Sequence, residues 1–359
     1  MSAGRVGGGT GSTLVTGRLL RLPGGRVSLR VGPRSVLVGA IAAAVVVAGA
    51  LVSLTTGAFP LTLPEVGETL VGQGSRATEF VVLDQRLPRL VLAILVGAAL
   101  AVSGAVLQSL SRNPLGSPDV IGFTTGASTG ALVAIVALGA GTLGTSLGAL
   151  VGGLLTALLV VALSAGRGTQ GLRMVLIGIG IGAALLAVNS WLITTAVLQT
   201  AVEAQTWLLG DLGNRGWPQI LALAAAVAVL LPLPFGMARR LALIELGDRP
   251  AGALGVDVGR TRTILLLGAV ALAAAATAAA GPIPFLALAA PQIARSLTRA
   301  ATPVLVPSAL VGAALLVVSD LAVTRLFSPV PLPVGVATGL IGGLYLVALL
   351  VRLWRGSTT

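Results

Sequence analysis

The sequence predicts an all-α membrane protein with about ten transmembrane helices, and three observations support this fold class. Of the 359 residues, 55% are hydrophobic and only 9% are charged, with a mean hydropathy of +1.02. Soluble domains usually carry roughly 25% charged residues, so this composition excludes a water-soluble globular fold. A spanning helix needs about 20 apolar residues, and ten apolar runs follow the polar start of the chain.

The chain divides into a polar tail and a long apolar domain. Residues 1–35 are rich in Gly, Ser and Arg and lack the apolar core and cleavage site of a signal peptide, which predicts a disordered cytoplasmic tail. The transmembrane domain is predicted over 36–353, followed by a cytoplasmic end at 354–359. The apolar runs lie at 36–57, 89–110, 119–139, 146–165, 173–198, 217–237, 263–280, 284–297, 304–325 and 333–353. The eighth run is short.

The arginines predict how the chain lies in the membrane. If the chain starts inside, 18 of the 23 arginines fall in the tail or in loops on the cytoplasmic side, and most acidic residues fall on the other side. This is the positive-inside pattern, so both termini of this multi-pass plasma or inner membrane protein are predicted in the cytoplasm. A re-entrant eighth segment would flip the last two helices and bring Arg325 to the cytoplasm, but the C-terminal pair Arg352 and Arg355 argues against that.

Missing residue types exclude several kinds of chemistry. The chain has no Cys and no His, which removes disulfides, thiol catalysis and most transition-metal sites. Every basic residue is Arg, so a Walker A loop with its Lys cannot exist, and any ATP hydrolysis must come from another chain. The basic charges lie at the ends of apolar segments and form no stripe with aromatic residues, which indicates a lipid bilayer and not nucleic acid as partner. No metal site and no directly bound cofactor are predicted.

The densest candidate signal runs from Arg86 to Ser128. Arg86 and Arg89 bracket a proline where an outer loop enters a helix, so they either bind carboxylates of a partner or anchor the helix at the headgroups. At the inner end, Asn113-Pro114-Leu115 breaks the helix. That break is either a constriction on a pathway, because broken backbone at membrane depth needs protein or a water-filled cavity around it, or an ordinary interfacial turn.

The inner connection 238–262 is long enough to have structure of its own. Asp248 is predicted to cap a short helix that has Pro250 in its first turn and ends at Gly255. Small residues from Ala251 onward and the apolar Leu254 offer a face that a partner can approach closely.

One acid lies inside a predicted spanning helix. Asp320 precedes Arg325 by five residues and is expected to pair with it near the helix end. The other interpretation of Asp320 is a proton-coupling acid, since ionisable groups within membranes are often functional.

Five blocks carry a family resemblance across residues 36–353. They are RLPR…GAALAVSGAVLQ…RNPLGSPDVIG, ELGDRPAGALGV, AGPIPFLALAAPQIAR, SDLAVTRLFSPVPLPVG and VATGLIGG. In this order they resemble the FecCD-type permease subunits of ABC importers for ferric siderophores, haem and cobalamin. The resemblance implies a type II ABC importer permease fold of ten helices that dimerises with a second copy or a paralogue. It also implies a separate ABC ATPase subunit, which uses the ATP, and an extracytoplasmic siderophore-binding protein.

The resemblance also assigns roles to positions of this chain. Arg86, Arg89 and Arg325 match arginines that dock acidic residues of the binding protein. The coupling segment 238–262 contains the positions that match the ATPase contact, namely Glu245, Asp248, Ala251, Leu254 and Gly255. Positions that match the translocation pathway and its inner gate are Asn113, Pro114, Leu115, Gln170 and Gly171, where Gly171-Leu172 replaces the pair of small hydroxyl residues of some members.

The sequence therefore predicts a permease that moves an intact ferric siderophore inward and is not itself an enzyme. Pro291-Gln292 replaces the Pro-His of many members and, with Gly342-Gly343-Leu344-Tyr345, resembles the siderophore branch. The alternatives are a permease for cobalamin or haem and, from another class, an ion-coupled secondary transporter that uses Asp320. An intramembrane enzyme is disfavoured because no catalytic pair of His, Cys or acids lies within the membrane.

Overall fold

The computed structural model describes residues 18–21, 28–164, 170–213, 215–300, 302–327 and 332–356. Two short strands, β1 (Arg18–Arg21) and β2 (Ser28–Val31), pair antiparallel within the predicted tail. The first helix, α1 (Pro33–Thr55), begins at a proline, which suits the first helical position because its missing N–H would be unpaired there. The disordered 1–35 tail stays a prediction.

The rest of the described chain is helical. Its other long helices are α4 (Leu87–Ser111), α6 (Thr142–Ser164), α7 (Gln170–Thr195), α13 (Val258–Ala280), α15 (Leu305–Leu326) and α16 (Val334–Gly356). The shorter helices are α2 (Leu63–Leu70), α3 (Arg76–Glu79), α5 (Phe123–Leu132), α8 (Leu198–Leu208), α9 (Trp217–Leu230), α10 (Pro232–Gly236), α11 (Ala238–Glu245), α12 (Asp248–Ala253) and α14 (Leu286–Thr298). Turns of π-helix precede α4 at Phe80–Arg86 and follow α5 at Val133–Ala137.

The apolar helices confirm an all-α membrane fold. Each of the ten predicted apolar runs contains a helix, and within the described residues seven segments are long and apolar enough to cross a bilayer. Two further apolar stretches are shorter: Phe123–Ala137, and the Val334–Val347 part of α16. A count of ten spanning helices is therefore not confirmed.

Helices α4 and α13 form the centre of the domain. In each, 78% of the most apolar window is buried, against 17% in α1. Helix α4 packs against α13, α14 and α15, while α1 covers α15 and α5 pairs with α6. Close packing depends on glycine: a side chain on Gly104 of α4 would overlap the backbone carbonyl of Ala287 in α14. Small residues at helix crossings let backbones approach in this way.

Helix α14, in the eighth apolar run, is shorter than a full membrane span. Its 13 residues cover about 20 Å at 1.5 Å per residue, less than the roughly 30 Å of hydrocarbon. Residues 281–284 before it are not helical, and Phe285 has a positive φ of 63°. The eighth predicted span therefore stays a prediction.

Candidate functional site

Four arginines from three separate parts of the sequence line one pocket of about 520 Å³. Arg86 and Arg89 come from the start of α4, Arg325 from the end of α15, and Arg215 from the connection between α8 and α9. We call this the arginine pocket; its acidic lining residues are Asp84 and Asp320. The pocket therefore carries an excess of positive charge, as a site for carboxylates would.

Arg89 is held by Asp320 inside the arginine pocket. Its Nε lies 3.0 Å from both carboxylate oxygens and its Nη2 lies 2.7 Å from Oδ1. The Asp320 side chain is only 7% exposed and that of Arg89 26% exposed. The expected pairing of Asp320 with Arg325 is wrong, because the carboxylate faces α4 and not the next turn of its own helix.

Arg86 and Arg325 make different contacts. Arg86 donates to the backbone carbonyls of Leu54 at 2.6 Å and Phe59 at 2.5 Å, which ties the end of α1 to α4. Arg325 is exposed and donates to the hydroxyl of Thr56. Arg325 therefore keeps a guanidinium face open to solvent, whereas Arg86 is largely occupied with backbone.

Arg215 is a pocket residue that the sequence analysis did not select. Its Nε is buried and has no hydrogen-bond partner in the described part of the chain. Burial lowers the pKa of Arg215, and the nearby carboxylate of Asp211 opposes that shift. Arginine stays protonated nevertheless. The pocket lining therefore includes a cationic side chain whose buried Nε–H makes no hydrogen bond within the described residues. Its only sequence signal was its place in an outer loop.

The helix break at the other end of α4 is confirmed. The helix ends at Ser111, Arg112 adopts a left-handed conformation (φ 52°), and α5 begins only at Phe123. The Asn113 side chain accepts a hydrogen bond from the Leu115 backbone N–H at 2.9 Å, which fixes the turn. Pro114 is exposed, and Asn113 and Leu115 are half-buried. Gln170 and Gly171 begin α7, but their side chains lie outside the described part.

A half-buried acid supports the broken backbone. Asp119, in the connection to α5, accepts hydrogen bonds from the Thr124 hydroxyl at 2.6 Å and from the Phe285 backbone N–H at 3.3 Å. It thus links the break after α4 to the start of α14. The sequence analysis missed Asp119 because its two partners lie on different segments.

The coupling segment contains two helices held by ion pairs. Helix α12 begins at Asp248 itself, with Gly247 at the N-cap, so the predicted capping role of Asp248 is wrong. Its carboxylate instead binds Arg112 and Arg262, with 2.9 Å from Arg262 Nη2 to Oδ1. Pro250 does lie in the first turn, and Gly255 follows the helix with φ 81°, both as predicted.

The other coupling positions differ in exposure. Glu245, at the end of α11, pairs with Arg295 of α14 at 2.7 Å and is only 14% exposed. Ala251 is buried within the chain, so its methyl group cannot contact a partner. Leu254 is 64% exposed and Gly255 is also exposed. Apart from Ala251, the residues of α12 are exposed, so the surface available to a partner continues from Gly252 to Leu254.

The arginine pocket and the coupling segment lie at opposite ends of α4. Arg89 is in the first turn of this helix and Arg112 caps its last turn, so about 35 Å separates them at 1.5 Å per residue. This distance matches the bilayer core. Arg325 lies at the Arg89 end, which excludes the flipped arrangement of the last two helices.

Comparisons with known proteins agree on one family. A family model described as the FecCD transport family matches residues 44–352. The ferric enterobactin transport system permease protein of Escherichia coli K12 is 46% identical over 312 residues, which cover 87% of this chain and 94% of that protein. The Fe(3+) dicitrate transport system permease protein of the same organism is 38% identical, with 85% of this chain and 95% of that protein covered.

More distant matches include a cobalamin permease and a solved structure. The cobalamin import system permease protein of Halobacterium salinarum is 35% identical over 90% of this chain and 91% of its own length. A solved inward-facing ABC transporter assigned to the metal-chelate type superposes with a TM-score of 0.80 at 28% identity, covering 88% of this chain and 99% of that one.

Proposed function

Because this chain belongs to the FecCD transport family, we propose that it is the permease subunit of an ABC importer that carries an intact iron chelate inward. Relatives with printed roles in ferric enterobactin and Fe(3+) dicitrate transport support the cargo class. The permease has no ATPase site of its own, so a separate ABC subunit supplies the energy.

One observation carries the mechanism: α4 joins the two sites directly. A cationic pocket lies at one end of this buried helix, and a segment held by Arg112 lies at the other. An importer needs a docking site for a loaded binding protein outside and a contact for the ATPase inside. We infer that the arginine pocket serves the first and the coupling segment the second, with both chain termini in the cytoplasm.

The contacts refine which arginines dock the binding protein. Arg86 and Arg89 are bound to groups of this chain, so their part is to shape the pocket and set its charge. Arg325 is exposed and Arg215 lines the pocket as a cation, so these two offer positive charge to an incoming carboxylate.

The ATPase contact is proposed at the exposed end of α12. The apolar side chain of Leu254 projects beside Gly255, and the small residues nearby let a partner surface approach closely. Anchors of this kind dominate many interfaces. Alternating access follows when ATPase closure moves α12 against the helix break at Asn113–Leu115, in a dimer with a second permease copy or a paralogue.

The cargo is proposed to pass as an intact complex. Fe³⁺ is a hard ion that favours oxygen ligands, and within the described residues no group of three or more His, Cys, Asp or Glu that could hold a metal ion occurs. Small and apolar side chains suit a weakly bound chelate. Cobalamin and haem stay as alternative cargoes, and one cobalamin permease is 35% identical.

The contacts disfavour the secondary-transporter alternative. Arg89 binds both oxygens of Asp320, so the carboxylate is already paired with a cation of this chain and is not a free site for a coupling ion.

Uptake by the reconstituted complex tests the proposal. Vesicles contain this permease and its ATPase, with the binding protein outside and ATP inside, and the measured quantity is uptake of ⁵⁵Fe as ferric enterobactin, with cyanocobalamin and haem as competing cargoes. Uptake that requires ATP hydrolysis and survives a protonophore is expected. Uptake that collapses with the protonophore at constant ATP would establish the secondary transporter instead.

A further inference from the structure

We propose that Gln292 and Arg295 of α14 are positioning residues that link the coupling segment to the helix break at Asn113–Leu115. This inference rests on the proposed function, since it concerns how ATPase motion reaches the inner end of the pathway. It goes further by naming a second route through α14, in addition to the direct contact between Asp248 and the end of α4.

The first link joins α11 to α14. Arg295 Nη2 lies 2.7 Å from Glu245 Oε1. Glu245 is the last residue of α11, two residues before the N-cap of α12. A shift of α12 therefore acts at once on Glu245, and the charge-assisted hydrogen bond passes it to α14.

The second link joins α14 to the helix break. Gln292 lies three residues before Arg295, so the two side chains leave α14 on neighbouring positions of one face. Its Nε2 donates to the Gln108 side chain at 2.7 Å and to the Pro114 carbonyl at 3.3 Å. Helix α14 thus reaches both the last turn of α4 and the turn that follows it.

A third contact locks the same two helices together. Gln108 donates from Nε2 to the backbone carbonyl of Leu288 in α14 at 3.0 Å, and Gln108 is buried. Pro291 lies within α14 and lacks a backbone N–H, so the helix is weakened one residue from Gln292. The links of Gln292 and Arg295 both follow this weak point, so they belong to one continuous helical stretch of α14.

The direct and the indirect route converge on the same turn. Asp248 of α12 binds Arg112, which immediately precedes Asn113, while α14 binds the Pro114 carbonyl. Movement of the coupling segment is therefore applied to the helix break from two sides. We expect both routes to be required for tight coupling of hydrolysis to transport.

A charge exchange tests the first link. Glu245→Arg and Arg295→Glu are made singly and together in the full transporter, and ATPase activity and uptake are measured in the same vesicles. Each single change is expected to lower uptake per ATP hydrolysed about tenfold, a typical coupling between sites, and the double exchange is expected to restore most of it. Arg299→Glu, at the C-cap of α14 four residues after Arg295 and exposed, is the matched control and leaves the ratio unchanged.

Thiol labelling tests the second link without transport. The chain has no Cys, so Leu115→Cys provides a single reporter at the helix break. Its labelling rate is expected to differ between nucleotide-free and vanadate-trapped complexes, and Gln292→Ala is expected to abolish that difference. Uptake absent in the unmodified complex would reject the proposed function; normal uptake per ATP in both single variants, or a nucleotide response kept in Gln292→Ala, would overturn only the inference.

Discussion

Arg89 and Asp320, which are 231 residues apart in the sequence, form a forked ion pair between the start of α4 and α15. The pair forms part of one wall of the arginine pocket. It joins α4 and α15, which pack side by side, at that end. The sequence indicated Arg89 as a docking residue and Asp320 as a possible proton carrier. In the structure, the two residues hold α4 and α15 together.

Breaking this pair is expected to destabilise the protein. Asp320→Ala leaves Arg89 without its carboxylate and should lower the free energy of unfolding by about 2 kcal/mol, less than for a fully buried pair because Arg89 is partly exposed. The double change Arg89→Met with Asp320→Leu should recover most of the loss. Thermal unfolding of purified protein measures both; equal destabilisation by the single and double changes would show that the charge left behind is not the cause.

Asp320→Asn is expected to leave transport driven by ATP. The amide oxygen still accepts from Arg89, so the joint is weakened but kept, and no proton step is lost. The measurement is ATP-dependent chelate uptake with and without a protonophore, at equal amounts of inserted protein. Complete loss of uptake in a stable, inserted Asn variant would return Asp320 to the role of coupling acid.

Docking of the binding protein should depend on Arg215 and Arg325. Changing the exposed Arg325 or the half-buried Arg215 to Glu is expected to weaken binding about two- to fivefold at low salt, because each change reverses a charge that attracts the partner's carboxylates. The difference should shrink at high salt, because charges are screened over about 10 Å at 0.1 M ionic strength. Stimulation of ATPase activity by the binding protein is the readout, with Arg76→Glu, outside the pocket, as control.

Leu254→Asp should detach the ATPase. The leucine is exposed in the isolated chain, so the change does not disturb its own packing, but a charge placed in an apolar partner pocket costs a few kcal/mol through desolvation. Co-purification of the ATPase with equal amounts of inserted permease measures the effect. Leu326→Asp, at a leucine that is 77% exposed at the other end of the molecule, is the control; similar recovery with both variants would place the contact elsewhere.

Two glycines should differ sharply in their tolerance of alanine. A side chain on Gly104 meets the Ala287 backbone, whereas one on Gly180 of α7 meets open space. Gly104→Ala should cost on the order of 2 kcal/mol by overpacking, while Gly180→Ala should be neutral or slightly stabilising. Thermal unfolding of both variants checks this. An unchanged stability of Gly104→Ala would mean that α4 and α14 move apart at little cost in free energy.

Hydropathy located the helices well because a bilayer imposes its requirement on each segment separately. A spanning helix must satisfy its backbone within itself, so each of the ten apolar runs is visible without knowledge of its neighbours. The ends of α4 were likewise visible, because Pro88 and the Asn113-Pro114 break act locally. The number of spans was not fixed in the same way, since α14 has only 13 residues and follows a stretch without regular secondary structure.

The sequence by itself determined the membrane class, the helical runs, the missing ATPase site and the family. Only the tertiary structure decided which charges meet: Asp320 pairs with Arg89 and not Arg325, Asp248 binds Arg112 instead of capping its helix, and Arg215 joins the pocket. The reason is physical. The apolar character of a segment and the end of a helix depend on residues close together in the sequence, whereas an ion pair depends on which helices pack together and how each is rotated.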